Sequence, residues 1–356
     1  MSKRVPGGVD RRDLLKGLGA VAVGSAILPS VTLSPAQAQA GGRVVVGTWG
    51  GDYARLLSKN VEEPFLKPKG LEVVQDQASD APRRAKMVAE RRLPRGTTDI
   101  QGLSAAQMFE MNEAGVAEPI DYSKLKNAGN IVPFMKYPFG VGHIVSGKVV
   151  VFNPKLHTPA PTSYKDAFDP KFGTKLGFID IQYQYVMLAA AFAAAGDMSQ
   201  IEKGKELLLA AKKGGARIYP TNEAFAQALK SEEISIGLMW KARAVQWQNA
   251  GISVDSIAPS EGIMAYVSGF MIPKNAPNKA GAYAYMDAML EKGAQENFAI
   301  DMGYAPTVTN AQVAPDLMKR IGFTDEEQKR VKDLDYGFIA QNDSAMKEWW
   351  DKVFKA

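Results

Sequence analysis

The chain has 356 residues, a formal net charge of +5 and a hydrophobic fraction of 46%. It contains no cysteine and two histidines, which excludes disulfide frameworks, iron–sulfur clusters, thiol nucleophiles and His-rich metal sites. The hydrophobic fraction is typical of a globular protein, and a chain above about 300 residues usually divides its core between two domains.

Residues 1–40 resemble a twin-arginine export signal. Arg11 and Arg12 precede an apolar stretch of small residues at 17–33, and the segment ends in an A-x-A-like run. Pro29 leaves the apolar stretch shorter than the ~20 residues that cross a bilayer. We therefore predict a cleaved signal rather than a membrane anchor.

Cleavage after Ala38 or Ala40 would remove most of the excess positive charge. The first forty residues hold five basic and two acidic side chains, which account for three of the five net positive charges. The mature chain is then close to neutral, and we predict no nucleic-acid partner.

Short apolar strands alternate with helix-period segments from residue 43 onward, which predicts an α/β fold. The elements predicted first are strands at Val44–Val46, Leu71–Val74 and Asp99–Leu103, a basic helix near Pro82, a helix at Ala105–Asn112 ending at Gly115, and an apolar run at Ile144–Phe152. Those that follow are strand Leu176–Ile179, helices Tyr185–Ala195 and Ile201–Lys213, strand Arg217–Tyr219, a helix after Asn222, strand Ile234–Met239, an apolar run at Phe270–Pro273 and a helix bearing Ala282 to Leu290.

Two prolines, Pro154 and Pro273, each end an apolar run and enclose about 120 residues, the size of one domain. A domain inserted in this way connects to its host by two chain crossings, which form a hinge. We therefore predict two α/β lobes with a cleft between them. Residues 41–151 plus 269–309 form lobe 1, and residues 152–268 plus 310–356 form lobe 2.

Motifs of enzymes, nucleotide sites and metal sites do not occur in the mature sequence. It has no G-x-S-x-G, P-loop or G-x-G-x-x-G pattern and no dense carboxylate cluster. His143 and His157 flank turn-rich sequence and are expected to be packing or surface residues. We therefore predict a protein that is not an enzyme and that holds no cofactor or metal.

Trp49 ends the first strand and Trp240 ends a strand in the other predicted lobe. Ligands in open α/β sheets bind at the carboxyl ends of strands, so the two indoles predict a ligand held between them. Gly50 and Gly51 leave bare backbone N–H groups at a helix N-terminus, which favours an anionic or hydrogen-bond-accepting ligand group. Alternatively, the glycines only shape the turn and Asp52 is an N-cap.

Several stretches together resemble the periplasmic polyamine-binding proteins of ABC importers. They are Glu233–Trp240 (EISIGLMW), Ala265–Ala276 (AYVSGFMIPKNA), Ile300–Pro306 (IDMGYAP), the turn Phe168–Gly173 and the strand before Trp49. Their order and spacing extend over essentially the whole mature chain. The resemblance implies a bilobal type II periplasmic-binding-protein fold that closes on a small solute and delivers it to an inner-membrane permease.

The resemblance also implies a site in which aromatic side chains enclose the ligand and carboxylates hold its ammonium groups. Trp49, Trp240, Tyr266 and Tyr304 match the aromatic positions. The family's acidic positions are not kept, because they fall at Ile181, Gln184 and Ser268, with Asp180 displaced by one residue. A polycation buried without carboxylate partners would lose several kcal/mol per uncompensated charge.

Lys241 and Arg243 add positive charge beside Trp240, unless both point to solvent. We therefore predict a compact ligand that bears a carboxylate or is zwitterionic, with its amine stacked on Trp49 or Trp240. The predicted ligand-binding residues are Trp49, Gly50, Gly51, Asp52, Ser104, Asp180, Gln184, Asn222, Trp240, Lys241, Arg243, Tyr266, Ser268 and Tyr304.

The predicted function is that of a monomeric periplasmic substrate-binding protein. Its expected partners are a small-molecule ligand, an inner-membrane ABC permease and the twin-arginine export machinery. The alternatives are a polyamine-binding protein proper, a ferric-ion binder, which would call for a Tyr-Tyr pair that the sequence lacks, and an exported enzyme. A sensor that presents its ligand to a receptor would share the same sequence features.

Overall fold

The computed structural model describes residues 42–356, and the predicted export signal at residues 1–40 lies outside them. Within the described range, short runs rich in Val and Ile form the strands. They are β1 (Gly42–Thr48), β2 (Leu71–Gln77), β3 (Ile100–Ser104), β4 (Lys136–Tyr137), β5 (Gly140–Phe152), β6 (Leu176–Ile179), β7 (Arg217–Tyr219), β8 (Ile236–Trp240), β9 (Asp255–Ile257), β10 (Ile263–Met271) and β11 (Val331–Lys332).

Helices connect most of these strands. They are α1 (Gly51–Leu57), α2 (Asp80–Glu90), α3 (Ala105–Glu113), α4 (Tyr183–Ala195), α5 (Ile201–Lys213), α6 (Asn222–Lys230), α7 (Lys241–Asn249), α8 (Lys279–Met289), α9 (Lys292–Met302), α10 (Pro315–Ile321), α11 (Asp325–Gln328) and α12 (Tyr336–Trp349). Two π-helical segments, Ser58–Leu66 and Trp350–Phe354, continue α1 and α12. None of the described helices is both long and apolar enough to cross a membrane.

The predicted elements agree with the observed ones to within a few residues at most boundaries. β6, β7 and α5 have the predicted bounds. Two apolar runs were bounded less well, because β5 begins four residues before Ile144 and β10 begins seven residues before Phe270. In both strands the unpredicted part contains Gly or polar residues that interrupt the apolar pattern.

The strands form one curled sheet in the order β2-β1-β3-β10-β5-β8-β6-β7. β1 pairs in parallel with β2 and β3, and β6 pairs in parallel with β7 and β8. β5 belongs to both parts of the sheet, since residues 141–147 pair with β10 and residues 148–152 pair with β8. A single long strand therefore connects two sets of parallel strands.

The Ala-rich helix α4 is buried from Tyr183 to Phe192, which explains why its sequence is apolar on every side. It packs closely on α5 at Gly204. A Cβ added to Gly204 would lie 2.6 Å from the backbone nitrogen of Ala191, so only glycine permits this approach. α4 ends at Gly196, which takes the left-handed conformation with φ 69°.

Candidate ligand-binding site

Strand ends from both parts of the sheet meet around a cavity of about 400 Å³. Trp49 follows β1, Ser104 ends β3 and Trp240 ends β8, and all three line the cavity. Each of these strands has parallel neighbours in its own part of the sheet, and α/β proteins bind ligands at the carboxyl ends of such strands. The cavity therefore lies where the strand-end pattern predicts it.

Stacked aromatic rings form one wall of the cavity. The centroids of Trp240 and Tyr266 lie 4.0 Å apart with their planes at 15°. Tyr185 meets these two rings edge-on, at 4.6 and 5.8 Å, and Tyr304 lies 6.2 Å from Tyr266. Such a wall excludes water, and a lower local dielectric strengthens any interaction between the ligand and a polar group.

Two side chains already contact the Trp240 indole. Tyr266 stacks on it, and the Lys148 ammonium lies 4.2 Å from the ring centroid. A ligand amine would share the ring with these two groups, and its stacking on Trp240 stays a prediction. Trp49 is half-buried and is the more accessible indole, with Arg83 5.1 Å from its ring centroid.

Arg243, on α7, is the cation that lines the cavity, and it is only 4% exposed. Its Nη1 donates to Gln246 Oε1 at 2.9 Å and lies 3.5 Å from Asp52 Oδ2, while Nη2 lies 3.7 Å from Glu223 Oε1. Both ion-pair distances exceed those of a charge-assisted hydrogen bond. Its Nε is buried without a hydrogen-bond partner among the described residues. The guanidinium therefore retains the capacity to bind an anionic ligand group.

Two carboxylates also line the cavity, Asp80 at the start of α2 and Glu223 in the first turn of α6. Neither was among the predicted acidic residues, which were Asp52 and Asp180. Asp80 is buried, and its Oδ2 accepts a hydrogen bond from Gln107 and lies 3.6 Å from Arg84 Nη2. Its Oδ1 has no hydrogen-bond partner within residues 42–356, which leaves an acceptor for a ligand ammonium.

A buried polar network lies behind Asp80. The Asp343 carboxylate, on α12, accepts a hydrogen bond from Arg84 at 2.9 Å and others from the Tyr183 hydroxyl and the Gln184 amide. Arg84 also pairs with Glu110, and burial raises the pKa of that carboxyl in spite of the guanidinium. The network joins α2, α4 and α12 beside the cavity.

Ten of the fourteen predicted ligand-binding residues line the cavity. They are Trp49, Gly50, Gly51, Ser104, Gln184, Asn222, Trp240, Arg243, Tyr266 and Tyr304. Ser104 also begins α3, where it forms a capping box with Gln107. As ligand contacts, all ten stay predictions.

Lys241 and Asp52 do not line the cavity. Successive residues of a helix are rotated by about 100°, so Lys241 and Arg243 point in nearly opposite directions. The Lys241 ammonium donates to the Gly322 carbonyl and lies 4.5 Å from the Phe323 ring centroid. Asp52 is not an N-cap; it accepts hydrogen bonds from Arg55 and Gln246. Burial acts to raise its pKa, but Arg55 and Arg243 lower it below the ordinary value.

Asp180 and Ser268 also lie outside the cavity lining. The Asp180 carboxylate faces the C-terminal segment, where Trp350 Nε1 and Lys355 Nζ donate to it at 2.7 and 2.8 Å. Ser268 is fully buried in β10, and its hydroxyl donates to the Leu103 carbonyl at 3.2 Å. Strand register and the C-terminal segment, neither of which the local sequence specifies, decide both orientations.

Several polar and aromatic residues of the cavity were not among the predicted ones. They are Tyr53, Asp80, Gln107, Gln182, Tyr185 and Glu223. The strand-end argument applied to Trp49 and Trp240 would also have selected Asp80, which follows β2. Tyr53 lies one helical turn beyond Trp49, and burial raises its pKa. No group of His, Asp and Glu suited to a metal ion occurs among the described residues.

The fold and the aromatic, charged cavity define a solute-binding protein. A family model described as bacterial extracellular solute-binding protein matches residues 63–324, and the chain belongs to this family. The spermidine/putrescine-binding periplasmic protein of Escherichia coli (strain K12) is 24% identical over 271 residues, which cover 71% of this chain and 75% of that protein.

Two solved structures share the fold. The Atu4243-GABA receptor has a TM-score of 0.76 at 21% identity and covers 88% of this chain and 98% of its own. The PBP AgtB from A. tumefaciens R10 in complex with agropinic acid has a TM-score of 0.75 at 18% identity, with coverage of 88% and 99%. The predicted α/β, periplasmic-binding-protein-like fold is thereby confirmed.

Proposed function

We propose that this protein captures a compact zwitterionic solute for an ABC importer. The observation that carries the proposal is Arg243, a buried guanidinium with an unpartnered Nε in the lining of a cavity that also holds Asp80. A ligand carboxylate on Arg243 and a ligand ammonium on Asp80 Oδ1 would each gain a charge-assisted hydrogen bond in a site of low dielectric.

The charge around the cavity supports a ligand of low net charge. The cations that line the cavity or lie next to it are Arg83, Arg84, Lys148 and Arg243, and the carboxylates are Asp52, Asp80, Glu110, Glu223 and Asp343. The carboxylates exceed the cations by one. A dianion would therefore leave a net charge of about −3 in a buried site, which costs several kcal/mol, whereas a zwitterion leaves the existing balance unchanged.

Binding of a polyamine is the second candidate. Asp80 and Glu223 are the kind of acceptors that ammonium groups need, and a curated relative at 24% identity binds spermidine and putrescine by its name. Arg243 argues against it, since a polyamine in this cavity would place an ammonium group near a buried guanidinium. The names of two structural neighbours, a GABA receptor and a complex with agropinic acid, agree with an acidic group on the ligand.

Calorimetry with ligands of one carbon-chain length tests the proposal. γ-Aminobutyrate, butanoate, butylamine and putrescine share four carbons and differ in their end groups, and spermidine is added as a longer polyamine. We expect γ-aminobutyrate to bind more tightly than butanoate or butylamine, which each carry a single charge. Submicromolar spermidine binding with no response to any carboxylate would refute the proposal.

We further propose that the two predicted lobes close on the ligand and present it to an inner-membrane permease. The support is that β5 pairs with both parts of the sheet and that the cavity is lined by residues of both predicted lobes. Small-angle scattering with and without ligand would measure closure. An unchanged radius of gyration at saturation would contradict it.

Export to the periplasm by the twin-arginine route is also part of the proposal, and its support is the sequence of residues 1–40. Replacing Arg11 and Arg12 with lysine should block export and leave the precursor in the cytoplasm. Cell fractionation measures this, and normal periplasmic levels of the Lys-Lys variant would point to another export route. A double Lys3→Arg, Lys16→Arg variant is the matched control.

A further inference from the structure

Lys148 is a fully buried lysine without an acidic partner. It lies in β5, directly across from Trp240 in the pairing with β8, and forms no ion pair with any described residue. Its ammonium donates a hydrogen bond to Gln182 Oε1 and lies 4.2 Å from the Trp240 ring centroid. Burial lowers the pKa of Lys148 well below its ordinary value. Because such a group destabilises the fold, its role has to be sought in the geometry it imposes.

Lys148 determines which way the Gln182 amide points. Its Nζ donates to Gln182 Oε1, so the carbonyl oxygen of the amide faces Lys148. The Gln182 NH₂ group then faces away, where it donates to Asn222 Oδ1 at 2.7 Å and lies 3.5 Å from Met239 Sδ. Gln182 is itself buried and held on both ends of its amide.

The same reasoning fixes the orientation of the side-chain amide of Asn222, the first residue of α6. Its carbonyl oxygen accepts a hydrogen bond from Gln182, so its NH₂ group points away from Gln182. That Nδ2 has no hydrogen-bond partner among residues 42–356, and Asn222 is half-buried in the lining of the cavity. Arg243 lines the same cavity, and Glu223, the next residue of α6, lies 3.7 Å from its guanidinium.

We propose that Lys148 is a positioning residue that makes the Asn222 side of the cavity a hydrogen-bond donor. The relay from Lys148 through Gln182 holds the Asn222 NH₂ group toward the ligand, where it selects an acceptor such as a carboxylate oxygen beside Arg243. This rests on the proposed function in one respect, that the ligand carries such an acceptor. Lys148 itself does not touch the ligand.

A purely structural role makes different predictions. If Lys148 only supported the Trp240 ring, its replacement would lower stability and weaken all ligands alike. If it acts through Asn222, its replacement weakens the binding of ligands with an acceptor and does not weaken the binding of those without one. The two roles are therefore separable by selectivity and by coupling to Asn222.

The test is a double-mutant cycle of Lys148→Met and Asn222→Ala, with γ-aminobutyrate and putrescine as probes in calorimetry. Loss of one hydrogen bond to a charged group predicts that each single variant weakens γ-aminobutyrate binding by about tenfold or more. The double variant should be no weaker than Asn222→Ala alone. Putrescine has no acceptor, so Lys148→Met should bind it as tightly as wild type or, with one cation fewer beside the cavity, more tightly. Independent, additive losses, or equal losses for both probes, would overturn the proposal.

A second variant reverses the relay without removing the lysine's partner. In Gln182→Glu the carboxylate can only accept, so Asn222 has to donate to it and turn its carbonyl oxygen toward the ligand. The new carboxylate also neutralises Lys148, so this variant should fold. We expect weaker γ-aminobutyrate binding and tighter putrescine binding; unchanged selectivity would overturn the proposal.

The positioning role of Lys148 can be tested even if the proposed function is wrong. If wild type binds none of the probes, the side-chain amide NMR signals of the unliganded mature protein still report on the relay. The Gln182 and Asn222 NH₂ signals, assigned by their loss in Gln182→Met and Asn222→Ala, should shift in Lys148→Met while most backbone amides stay in place. Unchanged side-chain signals would overturn the positioning role.

Discussion

Replacing Arg243 with Met is the most direct perturbation of the proposed site. Methionine keeps much of the aliphatic volume of arginine and removes the guanidinium that lines the cavity. Truncating one partner of a buried, hydrogen-bonded charge pair costs about 2–5 kcal/mol. Because Asp52 and Glu223 already lie 3.5 and 3.7 Å away and partly neutralise Arg243, we expect the lower part of that range. A loss of about 2 kcal/mol corresponds to about a 30-fold weaker affinity for γ-aminobutyrate.

Putrescine should respond in the opposite direction. Removing Arg243 leaves Glu223 and Asp52 without their buried cation, so the cavity becomes more negative. A like charge about 6 Å away at an effective dielectric of about 20 contributes roughly 3 kcal/mol of repulsion, which the variant would relieve. Putrescine should therefore bind Arg243→Met as tightly as wild type or more tightly.

The effect on stability should be small by comparison. The Asp52 and Glu223 side chains are 31% and 44% exposed, so both are solvated when the guanidinium is removed. Asp52 keeps its hydrogen bonds from Arg55 and Gln246 at 3.0 and 2.8 Å. We expect the free energy of unfolding to change by about 1 kcal/mol or less. A loss of affinity without a matching loss of stability would locate the effect in the cavity.

Titration calorimetry and urea unfolding measure these quantities, and Lys241→Met is the matched control. Lys241 lies on the same helix, two residues earlier, and its ammonium points to Gly322 instead of the cavity. It should bind all probes as wild type does. Arg243→Lys, which keeps the charge and loses the bidentate geometry, should be intermediate. Equal weakening of γ-aminobutyrate and putrescine in Arg243→Met would refute the assignment of Arg243 to a ligand carboxylate.

Three further predictions concern stability. Asp343→Asn removes a buried carboxylate from Arg84 and should lower the free energy of unfolding by about 3 kcal/mol. This is the low end for a broken buried ion pair, because Glu110 and Asp80 still lie beside Arg84. Urea unfolding midpoints measure the change, and Asp351→Asn is the exposed control. Burial lowers the pKa of His143 to about 3. The unfolded chain therefore protonates His143 at a higher pH than the folded chain does. The contribution of the neutral imidazole to the free energy of unfolding is complete above about pH 6.5 and falls by about 1.4 kcal/mol per pH unit toward pH 3. His143→Phe should flatten that slope, and an unchanged slope between pH 7 and 4 would contradict the burial of a neutral imidazole. Trp240→Ala should cost about 3–5 kcal/mol of stability, since the indole is 4% exposed between Tyr266 and Lys148, whereas Trp240→Phe should keep the fold and most of the binding.

Much of the fold was accessible from the sequence because its signals are local. The strand Leu176–Ile179 and the helix Ile201–Lys213 are bounded by turn residues, and hydrophobic periodicity is sufficient to place them. The site was accessible only in part. Trp49 follows β1 and Trp240 ends β8, and each lies at the carboxyl end of a strand with parallel neighbours, where α/β proteins bind ligands.

The orientation of individual side chains was not accessible in this way. Lys241 and Arg243 are both basic and two residues apart, and only the helix start at Lys241 decides that Arg243 faces the cavity. Asp180 comes directly after a strand, but Trp350 and Lys355, about 170 residues later, draw its carboxylate away. Lys148 was part of an apolar run, and its significance depends on Gln182 and Asn222, which no local pattern connects to it.

The distribution of charge has a consequence for how affinity and closure would be coupled. Asp80 belongs to predicted lobe 1 and Arg243 to predicted lobe 2, and both line the same cavity. A ligand with a single charge can satisfy only one of them, so it gains little from bringing the two lobes together. A zwitterion satisfies both. On the proposed closure it gains the second interaction only when the lobes meet, so the free energy of that interaction would stabilise the closed state. On the proposed function, the binding free energy of γ-aminobutyrate should therefore be more favourable than the sum of the binding free energies of butanoate and butylamine. The same excess should disappear in Arg243→Met, because the ligand then has no partner for its carboxylate on the second lobe.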